Sequence, residues 1–139
     1  MATAIKHQDF TEQLIRGVHD WDAHVFKVML SNTAPLATNS VKADLTEIAA
    51  GNGYPAGGTA TTISVSETGG TTTVTGTEVV FTATGAVGPF RYATVYNDTA
   101  TSDNLVQSYD YGSAVTLASG ETFAVKFNNA SPVTILTLA

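Results

Sequence analysis

Residues Thr59–Gly85 read TATTISVSETGGTTTVTGTEVVFTATG. Thr, Val and Ile carry two heavy atoms on Cβ, which crowd a helical turn but suit a pleated strand. The pair Gly69-Gly70 separates TTISVSET from TTTVT, and two glycines between two such runs are a hairpin signal. Working outward, the same grammar continues to the C-terminus. The expected strands are Thr61–Ser66, Thr71–Thr75, Glu78–Thr84, Phe90–Asn97, Leu105–Tyr111, Ala114–Ala118, Thr122–Asn128 and Val133–Leu138. Many short strands with regular turn signals specify an all-β domain, a jelly-roll or Greek-key β-sandwich.

Alternation within the strands nominates a core. Val79, Phe81 and Ala83 share one face of their run; Phe123, Val125 and Phe127 share one face of theirs. Phe81, Phe123 and Phe127 are the leading core candidates. Phe90, Tyr92, Thr94 and Tyr96 are expected on one side of their strand, opposite Arg91, Ala93, Val95 and Asn97.

Upstream of residue 59 the pattern changes. Val25–Leu30 (VFKVML) reads as the first strand of the body. Val41, Leu45 and Ile48 fall at helical spacing, with Ser40 or Asn39 as N-cap and Gly51 as terminator, so Val41–Ala50 is expected as a short helix. Residues 1–24 hold all three histidines and the only tryptophan. Phe10, Leu14, Ile15 and Val18 have helix-compatible spacing, weakened by Gly17. Residues 1–24 are therefore expected as an N-terminal arm or short helix, ahead of a sandwich over 25–139. Such an arm either reaches a neighbouring subunit or folds back on its own sheet.

Composition narrows the functions. A chain of 139 residues suits one domain. Charged residues make up 13%, about half the usual share of roughly 25%, which fits a surface packed against other proteins. The net charge is −6, and only Arg91 and Lys126 are basic after Lys42, so nucleic-acid binding is not expected. With no cysteine, thiolate catalysis and disulfides are excluded. The first residues lack a signal-type apolar run, and no stretch reaches membrane-span length. The expectation is a soluble chain made in the cytoplasm, with no membrane partner.

Chemistry-bearing motifs are few. His19-Asp20-Trp21-Asp22-Ala23-His24 has metal-ligand residue types, but this spacing does not put both imidazoles on one helix face. The Gly51–Gly58 loop (GNGYPAGG) lacks phosphate-loop spacing. No nucleophile elbow is present, and Asp98, Asp103, Asp110 and Glu121 sit at turn-like positions where Asp commonly binds its own backbone. No enzyme activity, metal or cofactor is expected. Tyr92, Tyr96, Tyr109 and Tyr111 could stack on sugars, or pack with wet hydroxyls.

Three phrases carry a resemblance: VFKVMLSNTAPLATNSVKADLTEIAAGNGYPAGG at Val25–Gly58, GPFRYATVYNDTA at Gly88–Ala100, and YDYGSAVTLASGETFAVKF at Tyr109–Phe127. Together they resemble the capsid cement (decoration) proteins of short-tailed bacteriophages. The resemblance implies a structural virion protein on the outer capsid surface, clamping adjacent capsomers of the major capsid protein, as a homodimer. Phe10, Leu14, Trp21 and Tyr54 are the expected capsid or subunit contacts. The alternative is a receptor- or glycan-binding module of a tail fibre.

Overall fold

The computed structural model describes residues 2–127 and 134–139. In chain order the elements are β1 (Thr3–Lys6), α1 (Phe10–Ile15), β2 (Phe26–Ser31), β3 (Thr59–Thr61), β4 (Ile63–Thr68), β5 (Thr71–Gly76), β6 (Val79–Thr82), β7 (Val87–Asn97), β8 (Leu105–Leu117), β9 (Thr122–Val125) and β10 (Thr134–Leu138). They form three antiparallel sheets, ordered β1-β8-β7-β2-β3, β10-β5-β4 and β6-β9. The protein is an all-β sandwich.

The pairing is nested. β1 lies on β8, β2 on β7, and β4 on β5. Between them Thr62, just after β3, is tied to Thr77, just before β6: the Thr77 N–H donates to the Thr62 carbonyl at 3.0 Å and its Oγ1 accepts from the Thr62 N–H at 2.9 Å. Early strands thus close on late ones, the non-local winding of Greek-key architectures rather than a meander. The Gly69-Gly70 hairpin forms as expected, joining Thr68 to Thr71 with φ of +60° and +86° at the two glycines.

The five-stranded sheet turns Phe26, Val28, Leu30, Ala93, Val95 and Val106 toward Val74, Val79, Phe81, Val125 and Ile135 of the other two sheets and Phe127 just after β9. Of the three core candidates, Phe81 and Phe127 are buried; Phe123 is half-buried, packed against the same core. On the opposite face of the large sheet Met29, Tyr96 and Leu105 make a second cluster under Leu45. Phe90 departs from the expected alternation. Register shifts flank it in the β7–β8 ladder, and it joins Ala93 and Val95 in the main core rather than Tyr92. A bulge adds a residue to one strand and so switches the facing side. The Leu105–Tyr111 and Ala114–Ala118 runs merge into one strand, β8.

The helix expected over Val41–Ala50 does not form. That segment holds one 3-10 turn, Lys42–Asp44, and is otherwise irregular, with isolated bridges Val41–Asn104 and Ser31–Glu47. Its apolar residues go to different places: Leu45 to the outer cluster, Ile48 to the main core. One helical face could not serve both. Tertiary hydrogen bonds replace the helical ones, including Ile48 N–H to Leu30 O at 3.0 Å and Lys42 N–H to Asp103 O at 2.9 Å. A helix of about ten residues has little intrinsic stability to resist them.

The short helix sits instead in the N-terminal segment, as α1, followed by Gly17 at φ +72°. Residue 24 does not separate an arm from the body. β1 is an edge strand of the large sheet, and Phe10 is buried in the main core, with Leu14 and Trp21 packed against it. Of the two arrangements expected for residues 1–24, the chain adopts the fold-back.

Candidate functional site

The expected contact residues are mostly interior. Phe10 is 7% exposed and Tyr54 2%, so neither can anchor a partner from the surface. Tyr54 instead plugs the sandwich. Its hydroxyl accepts from the Leu30 N–H at 3.0 Å and donates to Glu47 Oε1 at 2.9 Å, which also accepts from the Gly57 N–H at 2.6 Å. Burial, with the Glu47 carboxylate adding to it, pushes the Tyr54 hydroxyl well above the usual tyrosine range. Leu14 and Trp21 are half-buried. The Trp21 indole is spent on Phe26 and Phe10, with ring centroids 4.6 and 6.4 Å away.

Residues 7–25 form a strap pinned at both ends, by β1 and by β2. Its centre is held by Asn97 of β7, which is fully buried. The Asn97 Oδ1 accepts the N–H groups of Thr99 and Ala100, both at 3.1 Å. That fixes the amide orientation and turns Nδ2 toward the strap, where it lies 3.2 Å from His19 Nδ1 and 2.9 Å from His24 Nδ1. His19 is itself buried, and its Nε2 lies 3.3 Å from Gln13 Oε1. Burial, with His24 nearby as a lesser cause, pushes His19 down to about 4. The two imidazoles singled out as metal-ligand types thus converge on one amide. Among the described residues, no group of three or more His, Asp or Glu side chains is gathered as a metal site.

A second buried histidine pins the strap's start. His7 Nε2 lies 2.9 Å from Ser108 Oγ, which lies 2.7 Å from Thr94 Oγ1. All three side chains are sealed from solvent, so no substrate reaches this His–Ser pair. Burial lowers the His7 pKa, partly offset by the backbone of Asn39 and Leu36. Nδ1 nonetheless lacks a partner at hydrogen-bonding geometry.

A cleft of about 420 Å³ lies where β1, β7 and β8 face β9. Phe90, Tyr109, Tyr111, Phe123 and Phe127 line it, beside Arg91 and Lys126. Phe123 meets Phe90 and Tyr111 edge-on at 4.8 and 5.3 Å between centroids. Arg91 grips Asp110 with two hydrogen bonds of 2.7 and 2.9 Å, which hold the Asp110 carboxyl below its usual range. Burial pushes the Tyr109 hydroxyl up to about 12. Of the four tyrosines considered for sugar stacking, Tyr92, Tyr109 and Tyr111 border this cleft. Tyr96 does not: it is fully buried in the outer cluster and donates to the Gly57 carbonyl at 2.6 Å.

Sequence reasoning did not single out the outer edge of the small sheet. There, among the described residues, β4 has no neighbour beyond β5, and Ser64 through Thr68 are exposed on both faces. Its one charge, Glu67, folds back to accept the Gly70 N–H at 2.6 Å. The signal in the sequence is faint: past Ile63, the run has Val65 as its only apolar residue.

No family model, curated protein or solved structure matches the chain.

Proposed function

We propose that this chain is a structural virion protein that binds the outside of a bacteriophage capsid and cements adjacent capsomers of the major capsid protein. The observation that carries the reading is the β4 edge. Edge strands expose unpaired N–H and C=O groups and are usually guarded by lysine, proline, a bulge or a covering element. Here the six-residue strand Ile63–Thr68 (ISVSET) stands open with no lysine, proline, bulge or covering element among the described residues, and its one charge, Glu67, is turned to the Gly70 N–H of the hairpin. Such an edge suits strand addition or a flat polar contact with a protein partner. The low surface charge and the resemblance of the three quoted phrases to cement proteins point the same way. A homodimer spanning two capsomers gains from effective concentration, so each contact can be modest. A stable contact buries on the order of 1,600 Å² in total.

The test is co-sedimentation of the purified chain with emptied phage heads that lack it. Saturable binding is expected, weakened at least about tenfold by Val65→Lys, which places a charge on the edge. Absence of binding by the intact chain overturns the reading.

A second reading rests on the aromatic cleft: a glycan-binding module of a tail fibre. Sugars stack on aromatic faces such as Tyr111, which is 51% exposed. Glycan-array binding lost in Tyr111→Ala would favour it; binding to heads without binding to glycans would dismiss it.

A further inference from the structure

We propose that His19, His24 and Asn97 form an acid-released latch that holds the 7–25 strap against the sandwich at neutral pH and lets its centre swing out when His19 takes up a proton. The geometry carries the argument. Asn97 Oδ1 is committed to two backbone N–H groups, so only the amide NH₂ faces the strap, and an NH₂ can only donate. Its two protons face His24 Nδ1 at 2.9 Å, His19 Nδ1 at 3.2 Å and the Val18 carbonyl at 3.4 Å, so a histidine bonded to it presents Nδ1 as an acceptor. His24 Nδ1 also takes the Asp20 N–H at 3.3 Å. A proton added at either Nδ1 would point a donor at a donor. In addition, the His19 ring is packed against Phe10, Trp21 and Phe26, with centroids at 5.4, 5.8 and 6.1 Å, which offer an imidazolium no hydrogen-bond acceptor.

Among the described residues, no carboxylate is paired with either histidine. Glu12 and Arg16 of α1 pair with each other at 2.7 Å. Asp20 accepts the N–H groups of Asp22 and Ala23 through Oδ1. Asp98, beyond β7, is paired with Lys27 of β2 at 2.8 Å. Asp9 and Asp22 lie at exposed positions, and Asp103 sits at the far end of the turn after Asn97. The lowered pKa of His19 has the same cause and the same direction: the buried ring refuses the proton until it leaves.

Trp21 is the only tryptophan and stacks on Phe26 within the strap's footprint, so its emission reports the latch. The experiment titrates Trp21 fluorescence of the full chain from pH 7.5 to 4, with far-UV circular dichroism alongside. The expected result is a red shift that precedes any loss of β signal. In His19→Gln the acid step should vanish, whether the strap is closed or already open at neutral pH. In Asn97→Asp the carboxylate can accept from an imidazolium, so acid should tighten the strap and abolish the red shift. Three results overturn the proposal: no shift in the parent chain, a shift coincident with global unfolding, or an unchanged acid step in either variant.

Discussion

Trp21 lies face to face on Phe26, ring centroids 4.6 Å apart and planes 2° from parallel. The strap is thereby fastened to the first strand of the body by one aromatic pair, over a Phe26 that is completely buried. Removing the indole uncovers Phe26 and leaves a void beside Phe10. Trp21→Ala should cost about 3 kcal/mol, at the low end of aromatic truncations because Trp21 is only half-buried. Urea unfolding at pH 7.5, followed by circular dichroism, reads the change.

Acid should weaken the whole fold through His19. Its folded pKa, about 4, lies below the unfolded value near 6.5. The unfolded chain therefore binds the proton first. Stability from this group is complete above about pH 6.5, falls as pH drops from there, and levels off near 4, for a loss of about 3 kcal/mol. Urea midpoints at pH 7 and pH 4.5 should differ less in His19→Gln than in the parent chain.

Glycine at 58 is a packing requirement. Its φ is +77°, and a Cβ there would run into the Val28 carbonyl oxygen of β2. Gly120, at φ +88°, opens onto empty space. Gly58→Ala should cost about 3 kcal/mol or more, since backbone must move, and Gly120→Ala about 1 kcal/mol, the left-handed conformation alone. Thermal unfolding of the two variants side by side checks the contrast.

Deleting residues 1–24 should abolish cooperative folding rather than release an arm. The deletion removes β1 from the edge of β8, takes Phe10 out of the core and strips the strap from Asn97. A truncated chain with the parent's sharp thermal transition would contradict this.

Strand content was legible because Thr, Val and Ile runs set off by glycine have few other solutions, and the Gly69-Gly70 hairpin followed from two residues. What misled was local periodicity at places decided by distant partners. Leu45 and Ile48 sit three apart, yet opposite faces of the large sheet claim them. Phe90 changed faces because a bulge, invisible in alternation, shifted its register. Nothing in HDWDAH announces that an asparagine some seventy residues later will collect both histidines. Of the apolar residues expected as contacts, Phe10 and Tyr54 are buried in the chain's own core.

The cementing account is tested most directly by copy number. Particles purified from the source that produces this chain would be analysed by quantitative mass spectrometry, against the major capsid protein. A ratio near one copy per shell subunit is predicted. A few to a few tens of copies per particle would contradict it and assign the chain to the tail, and absence from the particle would remove the virion reading.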